Sequence, residues 1–335
     1  MAKFCGAILM SVILALGATN ARADEPVKIR IAWTTAIGQL VAVLFQKTDV
    51  LAHHGKSYVV DAVYYKGSGP QITALAAGEL EIAEYAPSAL ALSVENAQMQ
   101  DARIIGDATR DGHADFNSRK FMVRADSPIR AIEDLKGKVL ATNSIAGAMD
   151  TAMRVMLRKH GLEDKRDYQV VELDFPNMFS AVTSGKVDLA SISLPFSIAA
   201  EKSGEVRTLF TMKDAIGESD MTIMVARAPF IAAHRAALVD MVEDMQRALR
   251  WIYEPANRDR VVALVAETTK QQPSAYTDWL FTKKDDYRDP DMRPSLQAVQ
   301  EDIDRQAQMG LLKSGIDVKK YADLSLVDEA AKRPR

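Results

Sequence analysis

Between residues 27 and 33 the chain alternates apolar and polar side chains as Val-Lys-Ile-Arg-Ile-Ala-Trp, the two-residue period of a strand that turns one face to a core. Apolar stretches of strand length recur at residues 58–64, 80–84 and 102–108, then up to Arg124, and again at 139–142, 168–173, 188–193, 206–212 and 221–226. The segments between them change to helical spacing. That spacing predicts helices over 39–53, 71–77, 129–136 and 147–160, with further helices from Ala89 and from a cap at Asn177. Strand and helix take turns, an order that implies parallel sheets with right-handed crossovers and ligands at the carboxyl ends of the strands. Beyond about Phe230 the strand period disappears, and residues 232–253, 257–267 and 290–309 are expected to be helical.

One local device repeats along this pattern: strand, short loop of Ser, Thr, Asn or Gly, helix start. It occurs at Thr34-Thr35, at Gly67-Ser68-Gly69, at Ser88 after Tyr85-Ala86-Pro87, and at Asn143-Ser144. A helix start offers unpaired backbone N–H groups and a partial positive charge, so several converging on one cleft can hold a carboxylate, sulfonate or nitrate. Such residues also cap helices throughout proteins, and only their repetition at equivalent sheet ends points to a cleft. Trp33, Tyr85, Phe175 and Phe196 lie beside these loops, where a cleft needs apolar walls; core packing is the alternative for Trp33. Glu84 ends a strand at the same edge. Facing the cleft, it repels a bare anion and favours a cation, an amine or a hydrogen-bonding neutral ligand; facing away, it is silent about the ligand. Arg110 is open in the same sense, either a partner for a ligand anion or half of a surface pair with Asp111.

Composition narrows the function classes. Lys3 is followed by an apolar run over residues 4–16 and by Ala21-Arg22-Ala23, which is expected to be a signal peptide spanning 1–23 and to place the mature chain in the periplasm. The single cysteine, Cys5, falls within it, so the mature chain would carry no disulfide and no thiolate. A formal charge of −3 argues against a nucleic-acid partner. The five histidines are scattered without zinc-ligand spacing, and no nucleophile elbow, phosphate loop or dinucleotide fingerprint is present. No catalytic residue, metal or cofactor is therefore expected. Asp285-Asp286 and Glu133-Asp134 are expected at solvated or capping positions, and Met149, Met153 and Met156 form a core-facing stripe.

Two stretches carry a family resemblance: DSPIRAIEDLKGKVLATNSIAGA, residues 126–148, and GSGPQITALAAGELEIAEYAPSALA, residues 67–91. The chain resembles the periplasmic substrate-binding proteins of ABC importers, of the nitrate, sulfonate, taurine and pyrimidine-precursor type, over nearly all of residues 27–326. The resemblance implies an α/β, two-lobed periplasmic-binding-protein-like fold of type II, each lobe a mainly parallel sheet flanked by helices. Residues 24–121 and 224–335 would form the first lobe and 122–223 the second, with hinges near 119–123 and 224–227 and the C-terminal helices packed on the first lobe without chemistry. It implies a monomeric receptor that captures a small organic, anionic ligand and delivers it to the membrane subunits of an ABC permease. Thr34, Thr35, Ser68, Gly69, Tyr85 and Ser88 would contribute from the first lobe, and Asn143, Ser144, Phe175 and Phe196 from the second. A thiamine-pyrimidine-precursor binding protein or enzyme on the same scaffold, or a ligand-sensing periplasmic subunit, are the alternatives. At the position of Glu84 many relatives of that family carry small or apolar residues.

Overall fold

The computed structural model describes residues 25–333; the expected signal peptide lies outside them. Among the described residues ten strands form two five-stranded sheets. The first contains β1 (Val27–Trp33), β2 (Tyr58–Tyr64), β3 (Ile82–Tyr85), β4 (Ala102–Asp111) and, from much later in the chain, β10 (Ser219–Arg227), in the order β2-β1-β3-β10-β4. The second contains β5 (Lys120–Arg124), β6 (Lys138–Thr142), β7 (Tyr168–Glu172), β8 (Leu189–Ile192) and β9 (Val206–Thr211), in the order β7-β6-β8-β5-β9. Pairing is parallel except for one strand in each sheet. β10 runs antiparallel to β3 and β4, and β5 runs antiparallel to β8 and β9. Each of these reversed strands is the one that follows a crossing between sheets, which is why strand periodicity alone implied uniformly parallel sheets.

All ten expected strands form, within a few residues of their expected ends. The crossings are 112–119 and 212–218. Residues 224–227, expected as a hinge, lie inside β10 and pair with both β3 and β4.

The helices depart further from expectation. In place of a helix over 39–53 there are two four-residue turns, Ala36–Gln39 and Val41–Leu44, broken at Leu40 with φ 63°. A long-range acceptor explains the rest: Asp244 on the helix Arg235–Tyr253 takes the backbone N–H groups of Ala52, His53 and His54 at 2.7, 2.9 and 3.1 Å and the Tyr58 hydroxyl at 2.8 Å. Those N–H groups have no need of helical carbonyls. The helix expected from residue 290 starts instead at Leu296, where the Ser295 hydroxyl caps Ala298 N at 3.2 Å. Residues upstream of it run along the open edge of β4, with Arg110 N donating to Tyr287 O and Asp107 N to Met292 O, both at 2.9 Å. Residues 129–136 give only a short 3-10 turn, Ile132–Leu135, tied by Asp134 to the N–H groups of Arg130 and Ala131.

Burial follows the apolar pattern. Ile29, Ile31, Met224, Leu238, Trp279 and Leu326 belong to one core beneath the C-terminal helices, and Tyr85, Leu90, Ile104 and Ile303 to another on the opposite face of the same sheet. In the second lobe Met149, Met153 and Met156 are buried in the core with Phe121 and Leu140, as their helical spacing predicted.

Candidate functional site

The carboxyl ends of both sheets face one another across a cleft with two connected chambers. The outer, about 610 Å³, is walled by Trp33, Tyr64, Phe175, Pro195, Phe196 and Ile198, among others. The inner, about 80 Å³, is bounded by Ser68, Glu84, Arg119, Ser144, Met149 and Thr222, with others. Thr34, Thr35, Asn143 and Phe175 border both chambers, so these residues form the neck between them.

The expected residues divide by what they do here. Thr34, Thr35, Ser68, Asn143, Ser144, Phe175 and Phe196 line the cleft. Tyr85 borders the inner chamber, but its ring is packed in the core and its hydroxyl lies 3.2 Å from Ser93 Oγ. Ser88 lines neither chamber; its hydroxyl donates to Ala146 O at 2.8 Å and so joins the two lobes. Gly69 is also outside both chambers, with open space where a side chain would sit. Arg110 is nearly buried and clasps Asp107 and Asp220, both at 3.0 Å from its Nε; it forms no surface pair with Asp111 and borders neither chamber. Asp285 and Asp286, expected at solvated or capping positions, are buried, with Asp285 accepting Phe281 N at 2.9 Å.

The four helix starts are not equivalent. At Thr34-Thr35 the donors are already used, because Gln39 Oε1 accepts from Thr35 N at 2.9 Å and from Thr34 N at 3.4 Å. The Asp150 carboxylate takes Ala146 N at 2.8 Å at the start of the helix Ala148–Lys159. Proline occupies the first position of the helix Pro87–Glu95. The start of the helix Ser68–Ala77 has no side-chain cap and borders the inner chamber, as does the start of Ala148–Lys159 through Gly147, Ala148 and Met149. The Ser68 hydroxyl accepts from Ala86 N at 3.3 Å, which ties the two loops together.

Several residues that brace or wall the cleft carried no local signal. Gln71 accepts Glu84 N at 2.9 Å and donates to Thr34 Oγ1 at 3.3 Å, bracing two cleft loops. Thr268, Thr269 and Tyr276, from the C-terminal helices expected to lack a role, close one side of the outer chamber, with Tyr276 and Thr269 hydroxyls 2.7 Å apart. Trp33 Nε1 is buried without a hydrogen-bond partner beside this chamber. At the rear, Arg119 sits at the end of the first crossing and binds Asp111 at 3.2 Å and Asp286 at 2.8 Å. One donor on each terminal nitrogen of its guanidinium is thereby committed to the protein.

Glu84 lines the inner chamber. Its residue is 1% exposed, and neither carboxyl oxygen has a hydrogen-bond partner. Burial, and after it the neighbouring Asp107, raises this carboxyl well above the usual carboxylate range. The first lobe also touches the second across the cleft: Lys66 pairs with Asp174 at 3.1 Å, and a Cβ on Gly67 would lie 3.4 Å from Ser144 Oγ. Away from the cleft, His53, Asp240 and Glu243 come close enough to suggest a metal site, but the Arg333 guanidinium already neutralises both acids, at 2.5 and 2.9 Å.

Two sheets joined by paired crossings around a polar, aromatic-walled cleft define the class of two-lobed ligand-binding folds. The chain belongs to the NMT1-like family, whose model matches residues 22–266. A protein of Brachyspira hyodysenteriae named as an ABC transporter periplasmic binding protein is 24% identical over 63% of this chain, and the match spans 66% of that protein's length. The alkanesulfonate-binding protein SsuA from Xanthomonas axonopodis pv. citri, solved with MOPS, is 18% identical with a TM-score of 0.70, covering 90% of this chain and 99% of that one. The desulfurization enzyme DSZB shares the fold at 14% identity and a TM-score of 0.67, over 92% of this chain and 100% of that one.

Proposed function

We propose that this chain is the solute-binding component of an ABC-type importer, working in the periplasm and handing a small organic ligand to a membrane permease. The observation that carries this is the convergence of loops from both sheets on a single two-chambered cleft of ligand size. Ligand touching both lobes stabilises the closed arrangement, because an open cleft offers only part of the contacts. The crossings at 112–119 and 212–218 are where the chain would bend. Ser88 to Ala146 and Lys66 to Asp174 are contacts of the closed form. A polar or acidic group of the ligand would meet the open start of the helix Ser68–Ala77, and an apolar portion would fill the outer chamber against Trp33, Phe175 and Phe196.

An enzymatic reading is supported by the fold shared with DSZB. Among the described residues the two chambers are lined by no histidine and no cysteine, so the cleft offers neither a Cys–His nor a Ser–His pair, which favours the receptor. The deciding experiment is a thermal-shift screen of sulfonates, carboxylates, nitrate, amines and pyrimidines, followed by product analysis of any hit. Ligand at about a hundred times its dissociation constant adds roughly 2.7 kcal/mol to the native state. A hit weakened by Trp33→Ala and Ser68→Ala and recovered unchanged supports the receptor; a hit converted to product replaces it with an enzyme.

A further inference from the structure

Receptor closure accounts for the loops at the cleft but gives Glu84 no task. Other buried acids of this sheet and its crossings have partners: Asp111 takes Arg119, Ser118 Oγ and Arg119 N, Asp286 takes Arg119, and Asp285 takes Arg288. Asp107 shares Arg110 with Asp220. Glu84 alone among these has both oxygens buried and both unpaired. Burying a carboxyl without a donor weakens a fold, so a fold that keeps one at a cleft invites a donor from outside.

The surroundings say which donor fits. The residues of the inner chamber include two that are ionisable and charged by type, Glu84 and Arg119, and Arg119 is held by two acids. Asp107 adds a second acid next to Glu84, and its arginine is shared with Asp220. The floor of the cleft therefore has an excess of carboxyl groups over free cations. A bare oxyanion entering it meets repulsion from any ionised acid and brings no N–H. The outer chamber is mainly apolar and aromatic, with Lys66, Asp174 and Lys202 also in its lining, and four residues border both spaces, so one molecule can place its body outside and its head within.

We propose that Glu84 is the specificity-determining ligand contact, and that it receives the protonated amine of a ligand whose apolar body fills the outer chamber. This rests on the receptor function proposed above and changes its ligand class from bare oxyanion to ammonium-bearing. The entering ammonium supplies the counter-charge that Glu84 lacks, and the carboxyl loses its proton as the ion pair forms.

Three probes with a shared body test it: 2-phenylethylamine, 3-phenylpropanoate and 2-phenylethanesulfonate, titrated calorimetrically into the wild-type chain and into Glu84→Gln and Trp33→Ala. The amine is expected to bind the wild type, to bind Glu84→Gln at least about tenfold more weakly, and to release a proton, seen as a heat that varies with the buffer. Glu84→Gln replaces a buried carboxyl that folding must hold protonated with a neutral amide of similar shape, so its melting temperature should equal or exceed the wild type's, which separates lost binding from lost folding. Amine binding that survives Glu84→Gln overturns the assignment. Carboxylate or sulfonate binding in preference to the amine, weakened by Trp33→Ala, also overturns it while leaving the receptor function standing. Failure of all three to bind also overturns the assignment, and the wider thermal-shift screen then decides the receptor function by itself.

Discussion

Two groups of buried acids in this molecule have opposite surroundings. At the crossings, Asp111, Asp286 and Asp285 are matched by Arg119 and Arg288, with distances of 2.8 to 3.2 Å. At the cleft, Glu84 is equally buried and unmatched. The matched group fixes where the chain passes between sheets, since Arg119 joins the end of β4 to residues of the C-terminal region. The unmatched group holds nothing in place. A paired buried acid is a structural member, whereas an unpaired one at a cleft is a standing vacancy for a ligand donor.

The largest break in this comparison is expected from Arg119→Met. It leaves Asp111 and Asp286 buried without their cation and should cost about 3–5 kcal/mol in denaturant unfolding. Glu84→Gln should act in the opposite sense and stabilise by roughly 1–3 kcal/mol at neutral pH. The pH sign follows from the raised carboxyl: a group protonated in the folded state contributes its stability below the unfolded value of 4.5 and loses it as pH rises toward the folded one. The gap between Glu84→Gln and wild-type melting temperatures should therefore be small near pH 4 and widen as pH rises.

Asp302 sharpens the contrast. It is buried in the helix Leu296–Gln308, one oxygen lacks a partner, and burial pushes it up to about 6. It borders neither chamber. Asp302→Asn should stabilise by about 1–2 kcal/mol above pH ~6 with no change in ligand affinity, which isolates placement at the cleft as what makes Glu84 functional. The smallest effect is expected from Lys66→Ala. Its pair with Asp174 is mostly exposed, and its loss should change stability by less than about 0.5 kcal/mol in a melting curve.

Much of this fold was legible because strand alternation is a local signal. The ten strands and the loops after β1, β2, β3 and β6 followed from it, as did the polar cleft they border. What was not legible depends on residues far apart in sequence. Asp244 replaces a helix at 52–54 from about 190 residues away, and Gln39 consumes the donors of Thr34 and Thr35 through a side chain whose direction no periodicity encodes. Tyr85 had the right neighbours for a cleft wall, but alternation along β3 puts its ring on the face packed with Leu90, Ile104 and Ile303. Arg110 beside Asp111 suggested a surface pair; the true partners, Asp107 and Asp220, come from its own strand and from β10.

The strand order of the first sheet also governs the sequence of events in folding. β10 lies between β3 and β4, so these two cannot become neighbours across it until residues 219–227 arrive. The second sheet, by contrast, is drawn from the continuous segment 120–211. Contacts that span more than a hundred residues form slowly, because the intervening loop must be closed first. In a refolding experiment followed by pulsed hydrogen exchange, β6 and β8 should gain protection before β3 and β4, so that the sheet begun later in the chain is the one completed first.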